Sequence, residues 1–287
     1  MASLQEIRSK IATVQNLQKL THAMEMVSQS KIRKVRECMN AARPYGEKIR
    51  NVSAHMSHAH PEYKSPYLHE SAGTNRIGLL LVTSDKGMCG ALNSNALRLA
   101  VMHMKEWTER KKSLEVCALG AKGLGFMRRL GANIVSFAVA LGDTPKMEQL
   151  AHPARVLLHA YRDGSLDAVF ICYTRFLNTI THKPVLEQIL PIKGENLGGP
   201  SGYWDYIYEP EPKIIVDEML RRYIESQIYL AVAENMASEQ GARMVAMKAA
   251  TDNAGHVIEE LKLIYHRTRQ AAITEEITEI IAGASAV

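Results

Sequence analysis

From Leu4 to Arg43 the sequence contains neither glycine nor proline, and no proline follows Pro212 down to Val287. In that second stretch glycine stands only at Gly241, Gly255 and Gly283. Segments without breakers favour uninterrupted helix. No run reaches the ~18 consecutive apolar residues of a membrane span, so any link to a membrane has to pass through a partner. Cysteine is scarce. Cys38, Cys89, Cys117 and Cys172 stand far apart with no Cys-x-x-Cys pair, which argues against a zinc site or a disulfide framework. The first residues, Met-Ala-Ser-Leu-Gln-Glu-Ile-Arg, show no apolar core and no Arg/Ser-rich leader, and read as a cytosolic N-terminus.

The two breaker-free ends carry apolar residues at helical spacing. Leu4, Ile7, Ile11, Val14, Leu17, Leu20, Met24 and Val27 recur at steps of three and four and lead on to Ile32, Val35 and Met39. Pro44 is expected to kink this helix or end its first stretch, and His60-Pro61 to stop it. A helix over 3–58 would run ~80 Å, and one from Pro212 to the end ~110 Å. Helices of that length cannot bury their stripes in a globular core, so each has to pair with the other, antiparallel, as a coiled coil. Residues 237–255 are rich in Ala, Ser, Met and Gly and would allow close approach. The last eight residues, Ile280 to Val287, have no charged side chain. Chain ends are usually polar, so this tip suggests insertion into an apolar socket on a partner.

Charge is unevenly placed. Residues 1–50 hold ten Lys/Arg against four Glu, an excess larger than the net +5 of the whole chain. The basic face therefore belongs to the N-terminal arm, and its partner should be acidic.

Between about 75 and 200 the pattern changes to short apolar runs alternating with helical stretches. Ile77–Thr83, Leu114–Leu119, Ile134–Val139 and Asp167–Thr174 read as strands, with helices over Ala91–Arg110, Gly120–Leu130 and Met147–Arg162. Such alternation implies a largely parallel sheet covered by helices. The fold class is thus α/β plus coiled coil, with long antiparallel N- and C-terminal helices flanking a Rossmann-like α/β domain. The divisions are 1–60, 75–205 and 211–287.

That order raises an alternative: a Rossmann-like nucleotide-binding protein with helical oligomerisation arms. Gly87-Met-Cys-Gly90 and Gly120-Ala-Lys-Gly123-Leu-Gly125 follow strands, where phosphate loops sit. Neither matches Gly-x-Gly-x-x-Gly, there is no Gly-Lys-Ser/Thr, and tight turns need glycine for backbone reasons alone. His55, His58 and His60 do not share one helical face, so they make a poor metal set. Lys31-Ile-Arg-Lys-Val-Arg36 raises nucleic-acid binding, but no aromatic stacking residues accompany it. No catalytic residue, cofactor or metal ligand is expected. Trp204-Asp-Tyr-Ile-Tyr-Glu-Pro210, aromatic and acidic on a loop, suits a contact surface.

Several segments carry a family resemblance. They are Ile7-Arg-Ser-Lys-Ile-Ala12, Thr21-His-Ala-Met-Glu-Met-Val27 with Ser30-Lys31, Ser84-Asp-Lys-Gly-Met-Cys-Gly90, and the highly specific run from Glu234 to Asn253. Arg267-Thr-Arg-Gln-Ala-Ala-Ile-Thr274 and the tail Glu279–Val287 complete the set. Across essentially the whole chain the sequence resembles the gamma subunit of the bacterial F-type ATP synthase. The resemblance implies a non-catalytic rotor, one copy per complex, standing inside an alpha3beta3 hexamer with its foot on the membrane c-ring beside the epsilon subunit. It further implies beta-subunit contacts at Met24, Arg243, Arg269 and Gln270, a foot contact with the c-ring and epsilon at Tyr206 and Glu209, and an apical bearing at Ile280, Ile281 and Val287. The implied location is the cytoplasmic face of the bacterial inner membrane, peripheral and joined to it only through the c-ring. No nucleic-acid partner is implied. Gly241 departs from the family's usual alanine and Ala254 from a frequent glycine. The first exchange is expected to soften an exposed helix by ~1 kcal/mol, the second to stiffen it. The cysteine pair of plastid relatives is missing, so thiol switching is not expected.

Overall fold

Ile77-Gly-Leu-Leu-Leu-Val82 is apolar on both faces, a pattern that suits a strand covered on both sides. In the computed structural model, which describes residues 4–59, 65–68, 73–144, 146–192 and 212–285, this run is the central strand β1 (Arg76–Val82). The other strands are β2 (Ser113–Leu119), β3 (Ile134–Ala138), β4 (Ala168–Phe176) and β5 (His182–Leu190). The helices are α1 (Leu4–Ala59), α2 (Leu92–Glu109), α3 (Ala121–Leu130), α4 (Met147–Arg162) and α5 (Pro212–Ser285). The sheet order is β3-β2-β1-β4-β5, parallel except for the antiparallel β4–β5 pair.

The chain divides into two compact units, Ser30–Ala242 and the pair Met1–Gln29 with Arg243–Val287. In the first, one sheet face presents Ile77, Leu79, Leu81, Val116 and Cys172 to Ala100 and Trp107 of α2 and Met127 of α3. The opposite face, with Leu80, Val82, Leu119, Ile171 and Tyr173, meets Leu150, Leu157 and Tyr161 of α4. It also buries Leu220, Ile224, Ile228 and Val232 of α5 and Val35 and Met39 of α1. The expectation that such long helices keep their stripes out of a globular core is therefore corrected. Their segments inside Ser30–Ala242 are sheet-covering helices, because an α/β sheet needs both faces covered and α4 alone covers only part of this one.

Three further differences have local causes. α1 continues through Pro44, although proline costs a helical hydrogen bond, with Ile49 and Ala54 beyond it buried in the core. It ends at Ala59, as His60-Pro61 requires. The sheet has a fifth strand the spacing did not indicate. β5 is an edge strand, where Pro184 opposite Thr174 is tolerated and polar residues recur, with Lys183 exposed and Glu187 and Gln188 half-buried. Gly241 is not exposed. A Cβ there would lie 2.8 Å from both the Thr179 carbonyl oxygen and His182 Cε1, so glycine lets the β4–β5 hairpin close against α5.

One ion pair ties α1 to the loop after β3. Lys31 Nζ donates to Asp143 Oδ1 at 2.7 Å, and this bond holds the Asp143 carboxyl below its ordinary value. A depressed folded-state value means stability that is present above the ordinary carboxylate range and lost as pH falls through the folded value. Asp143 is more than half exposed, so the contribution is under ~1 kcal/mol. Asp143→Asn should lower the melting temperature slightly at neutral pH, with the gap to the unmodified chain closing at pH values below the carboxylate range.

Candidate functional site

All six described candidates, Met24, Arg243, Arg269, Gln270, Ile280 and Ile281, lie in the unit Met1–Gln29 with Arg243–Val287. Here α1 and α5 run antiparallel. The Thr21 and Thr251 hydroxyls are 2.7 Å apart, Gln18 Nε2 donates to the Thr251 carbonyl at 3.4 Å, and Arg8 Nη2 donates to the Tyr265 hydroxyl at 3.1 Å. Covered residues of α1 recur at Ile7, Ile11, Val14, Gln18, Thr21, Glu25 and Ser28, alternating steps of four and three, with Leu4 and Met24 half-buried beside them. On α5 a matching set, Met247, Thr251, Ala254, Ile258, Leu261, Tyr265 and Thr268, recurs with the same steps, flanked by the half-buried Ala250, Gly255 and Val257. This is the seven-residue repeat of a coiled coil.

The seam corrects the apolar stripe read from spacing. Its lower half is polar and small, so Leu17, Leu20 and Val27 are turned outward, each more than half exposed. Together they form an apolar outer face on α1 that an isolated coiled coil has no use for. Simple apolar counting hid this face, because Leu17 and Leu20 fit a helical stripe as well as Gln18 and Thr21 fit a seam.

Beyond Thr268, α5 has no opposite residue among those described, since the register set by Arg8 and Tyr265 brings α1 to its start there. The helix nonetheless continues to Ser285, about 26 Å further at 1.5 Å per residue. Ile273, Ile277, Ile280 and Ile281 on this overhang are 44%, 51%, 66% and 62% exposed. Arg269 and Gln270 are exposed at its base, and Met24 is half-buried beside the seam. Arg243 is different: it is 7% exposed and is not a free cation. Tyr206, Glu209 and Val287, like Trp204, lie outside the described residues.

The α/β unit supplies the test of the nucleotide-binding alternative. Phosphates bind at a helix N-terminus through its free N–H groups. At α3 the loop after β1 already uses them. Asp85 Oδ1 accepts the Ala121 N–H at 2.9 Å, the Ser84 carbonyl accepts Lys122 N–H at 3.1 Å, and Thr83 Oγ1 accepts Gly123 N–H at 2.8 Å. Asp85 Oδ2 also accepts Leu141 N–H at 2.9 Å, and Asn93 bridges the same loop through its bonds to Ser84. The anion position is filled by the chain's own carboxylate. Asp85→Ala should cost about 2–3 kcal/mol, the worth of charge-assisted bonds to two backbone donors. Asp85→Asn should recover part of that loss; chemical denaturation of the full chain measures both.

Burial pushes the Cys117 and Cys172 thiols up to about 12, so neither is a nucleophile at neutral pH. Among the described residues no group of three or more His, Cys, Asp or Glu is placed to hold a metal ion, and no helix is long and apolar enough to cross a membrane.

Comparison with known proteins agrees over the full length. The model of the ATP synthase family matches residues 3–287. The chain is 56% identical over 293 residues to the ATP synthase gamma chain of Nitrosospira multiformis and 55% identical over 289 residues to that of Aromatoleum aromaticum, with all of each chain covered. Among solved structures it is similar to the rotor of Euglena gracilis mitochondrial ATP synthase, with a TM-score of 0.65 at 17% identity, covering 94% of this chain and 98% of that one. It is also similar to a chain of the Tetrahymena thermophila central stalk and c-ring, with a TM-score of 0.59 at 24% identity, covering 80% and 99%.

Proposed function

We propose, from the premise that the chain belongs to the ATP synthase gamma-chain family, that it is the central-stalk rotor of an F-type ATP synthase. It couples proton flow through a membrane ring to ATP synthesis or hydrolysis at sites carried by other subunits, and catalyses nothing itself. The observation that carries this reading is the α5 overhang: a single helix continuing past its coiled-coil partner with four exposed isoleucines. Such a helix gains stability only when a partner covers it.

The arms 1–60 and 211–287 form the shaft, and 75–205 the foot. Ile280, Ile281 and Val287 turn in an apolar sleeve at the top of an alpha3beta3 hexamer. Met24, Arg269 and Gln270, with the basic arm and Arg243, meet the beta subunits. Tyr206 and Glu209 meet the c-ring beside epsilon, which keeps the chain peripheral on the cytoplasmic face of a bacterial inner membrane. Torque acts through differential contact: a beta site changes state only if the rotor face opposite it favours one state over another. Leu17, Leu20 and Val27 give α1 one apolar outer face, and an asymmetric shaft requires such a difference between faces.

Affinity purification of the tagged chain from cells tests the assembly. Recovery of alpha and beta subunits at three copies each per chain is expected; a chain recovered alone, or one that binds nucleotide tightly by itself, contradicts the reading.

A further inference from the structure

The unit Ser30–Ala242 holds a cavity of about 390 Å³ that none of the shaft contacts uses. One wall is a single face of α4, with Arg155, Leu158, His159 and Arg162 at helical spacing. Facing it are Tyr67 from the short turn at 65–68 and Glu218 and Arg221 of α5. Much of the charge here is internally balanced. Arg221 donates to Glu218 at 2.7 Å and to Glu225 at 3.0 Å, and Arg222 reaches the same two carboxylates at 3.1 and 3.5 Å. The Arg221 guanidinium holds the Glu218 carboxyl below its ordinary value, and within this group two arginines face two glutamates. Asp217 accepts a 2.6 Å bond from Ser65 Oγ.

Arg155 and Arg162 are left in a different condition. Arg155 Nε is 4.0 Å from Glu225, at the limit of an ion pair, and Arg162 Nε is 3.7 Å from the exposed Asp163. Both side chains are about half exposed. Arg162 Nη2 lies 3.0 Å from His159 Nδ1, and a guanidinium only donates. Burial pushes the Tyr67 phenol up, so its hydroxyl keeps its proton and remains a donor. The cavity therefore presents donors from three elements and carries, over its own lining, three arginines against one glutamate.

We propose that this cavity binds a phosphate-bearing organic anion, held by the guanidinium groups of Arg155 and Arg162 and by the Tyr67 hydroxyl. The two arginines stand two helical turns apart, ~10.5 Å along α4, so their forks suit an anion with several acceptor oxygens rather than one carboxylate. The volume falls within the ~300–1,000 Å³ typical of small-ligand sites and exceeds what a lone phosphate would fill. Leu158 lines it with apolar surface for an organic body. A soluble organic phosphate and a phospholipid headgroup share this chemistry. The site stands independently of the central-stalk reading.

The test uses the full chain. Calorimetric titration with inorganic pyrophosphate should show one saturable site. The double variant Arg155→Gln/Arg162→Gln should weaken it by about tenfold or more, as expected for losing charge-assisted bonds. The double variant Arg98→Gln/Arg129→Gln removes the same charge from exposed positions on α2 and α3 and should leave affinity unchanged. Unaltered melting temperatures establish that both variants fold. In a second arm, flotation with phosphatidylglycerol vesicles, but not phosphatidylcholine vesicles, that is lost in the first variant identifies a headgroup. Pyrophosphate binding without flotation identifies a soluble phosphate. Either outcome supports the site; no saturable binding, or equal loss in both double variants, overturns it.

Discussion

Gly120→Ala should destabilise the α/β unit by about 4 kcal/mol, a large fraction of the ~5–15 kcal/mol that holds a typical domain folded. Gly120 has φ +100°, a conformation that costs an L-residue about 1–3 kcal/mol by itself. An added Cβ would also overlap the Thr83 carbonyl oxygen and lie 2.9 Å from Thr83 Oγ1. Thr83 has no room to withdraw: its N–H donates to the Leu119 carbonyl at 2.8 Å and its Oγ1 accepts the Gly123 N–H. Gly120 N–H in turn donates to the Ala138 carbonyl at 2.8 Å, so the ends of β1, β2 and β3 meet at this residue. Gly125, inside the α3 helix that Gly120 precedes, faces open space: a methyl added there would meet nothing within 4 Å. Gly125→Ala should therefore be neutral or stabilising by up to ~1 kcal/mol. Urea denaturation of the two variants separates them; equal stability would contradict the close-approach account of Gly120.

Arg243→Glu should reduce coupled ATP synthesis by the assembled complex by about tenfold or more, since reversing a charge at a buried position costs several kcal/mol. Arg243 is 7% exposed, on a helix face covered by its own chain, and is already engaged. Reversal would place a carboxylate where a cation is held and would remove the cation proposed to meet an acidic beta-subunit surface. Arg243→Lys keeps the charge and should retain most of the activity. Arg243→Gln separates assembly from coupling, because it introduces no opposite charge: an assembled complex with slowed synthesis supports the contact role. Normal synthesis in an assembled Arg243→Glu complex would contradict it.

The arms were legible because breaker-free sequence at helical spacing has few alternatives: Leu4–Ala59 and Pro212–Ser285 follow the expected bounds closely. The parallel strands were legible for a similar reason, as apolar runs between glycine turns. The seam was not. Gln18, Thr21, Glu25 and Ser28 occupy positions that apolar counting assigns to neighbours, and only the partner helix, through Thr251, shows that a small hydroxyl fits there. β5 was missed because an edge strand need not alternate cleanly, and its packing against Gly241 links segments far apart in sequence. The glycine pattern of Gly120, Gly123 and Gly125 could be read as a phosphate loop or as tight packing. The bonds that Ala121, Lys122 and Gly123 N–H donate to Asp85, Ser84 and Thr83 decide for packing at Gly120 and Gly123. Of the proposed contacts, the apolar tip was readable from composition alone, whereas the outward face of Leu17, Leu20 and Val27 required the seam.

The most direct measurement is rotation itself. With the complex assembled around this chain and fixed by its beta subunits, a bead attached to the Ser30–Ala242 unit should turn in one direction when ATP is added, pausing at each third of a turn. A complex that hydrolyses ATP at its full rate while the bead stays still, or while the chain is cross-linked to a beta subunit, would contradict the account.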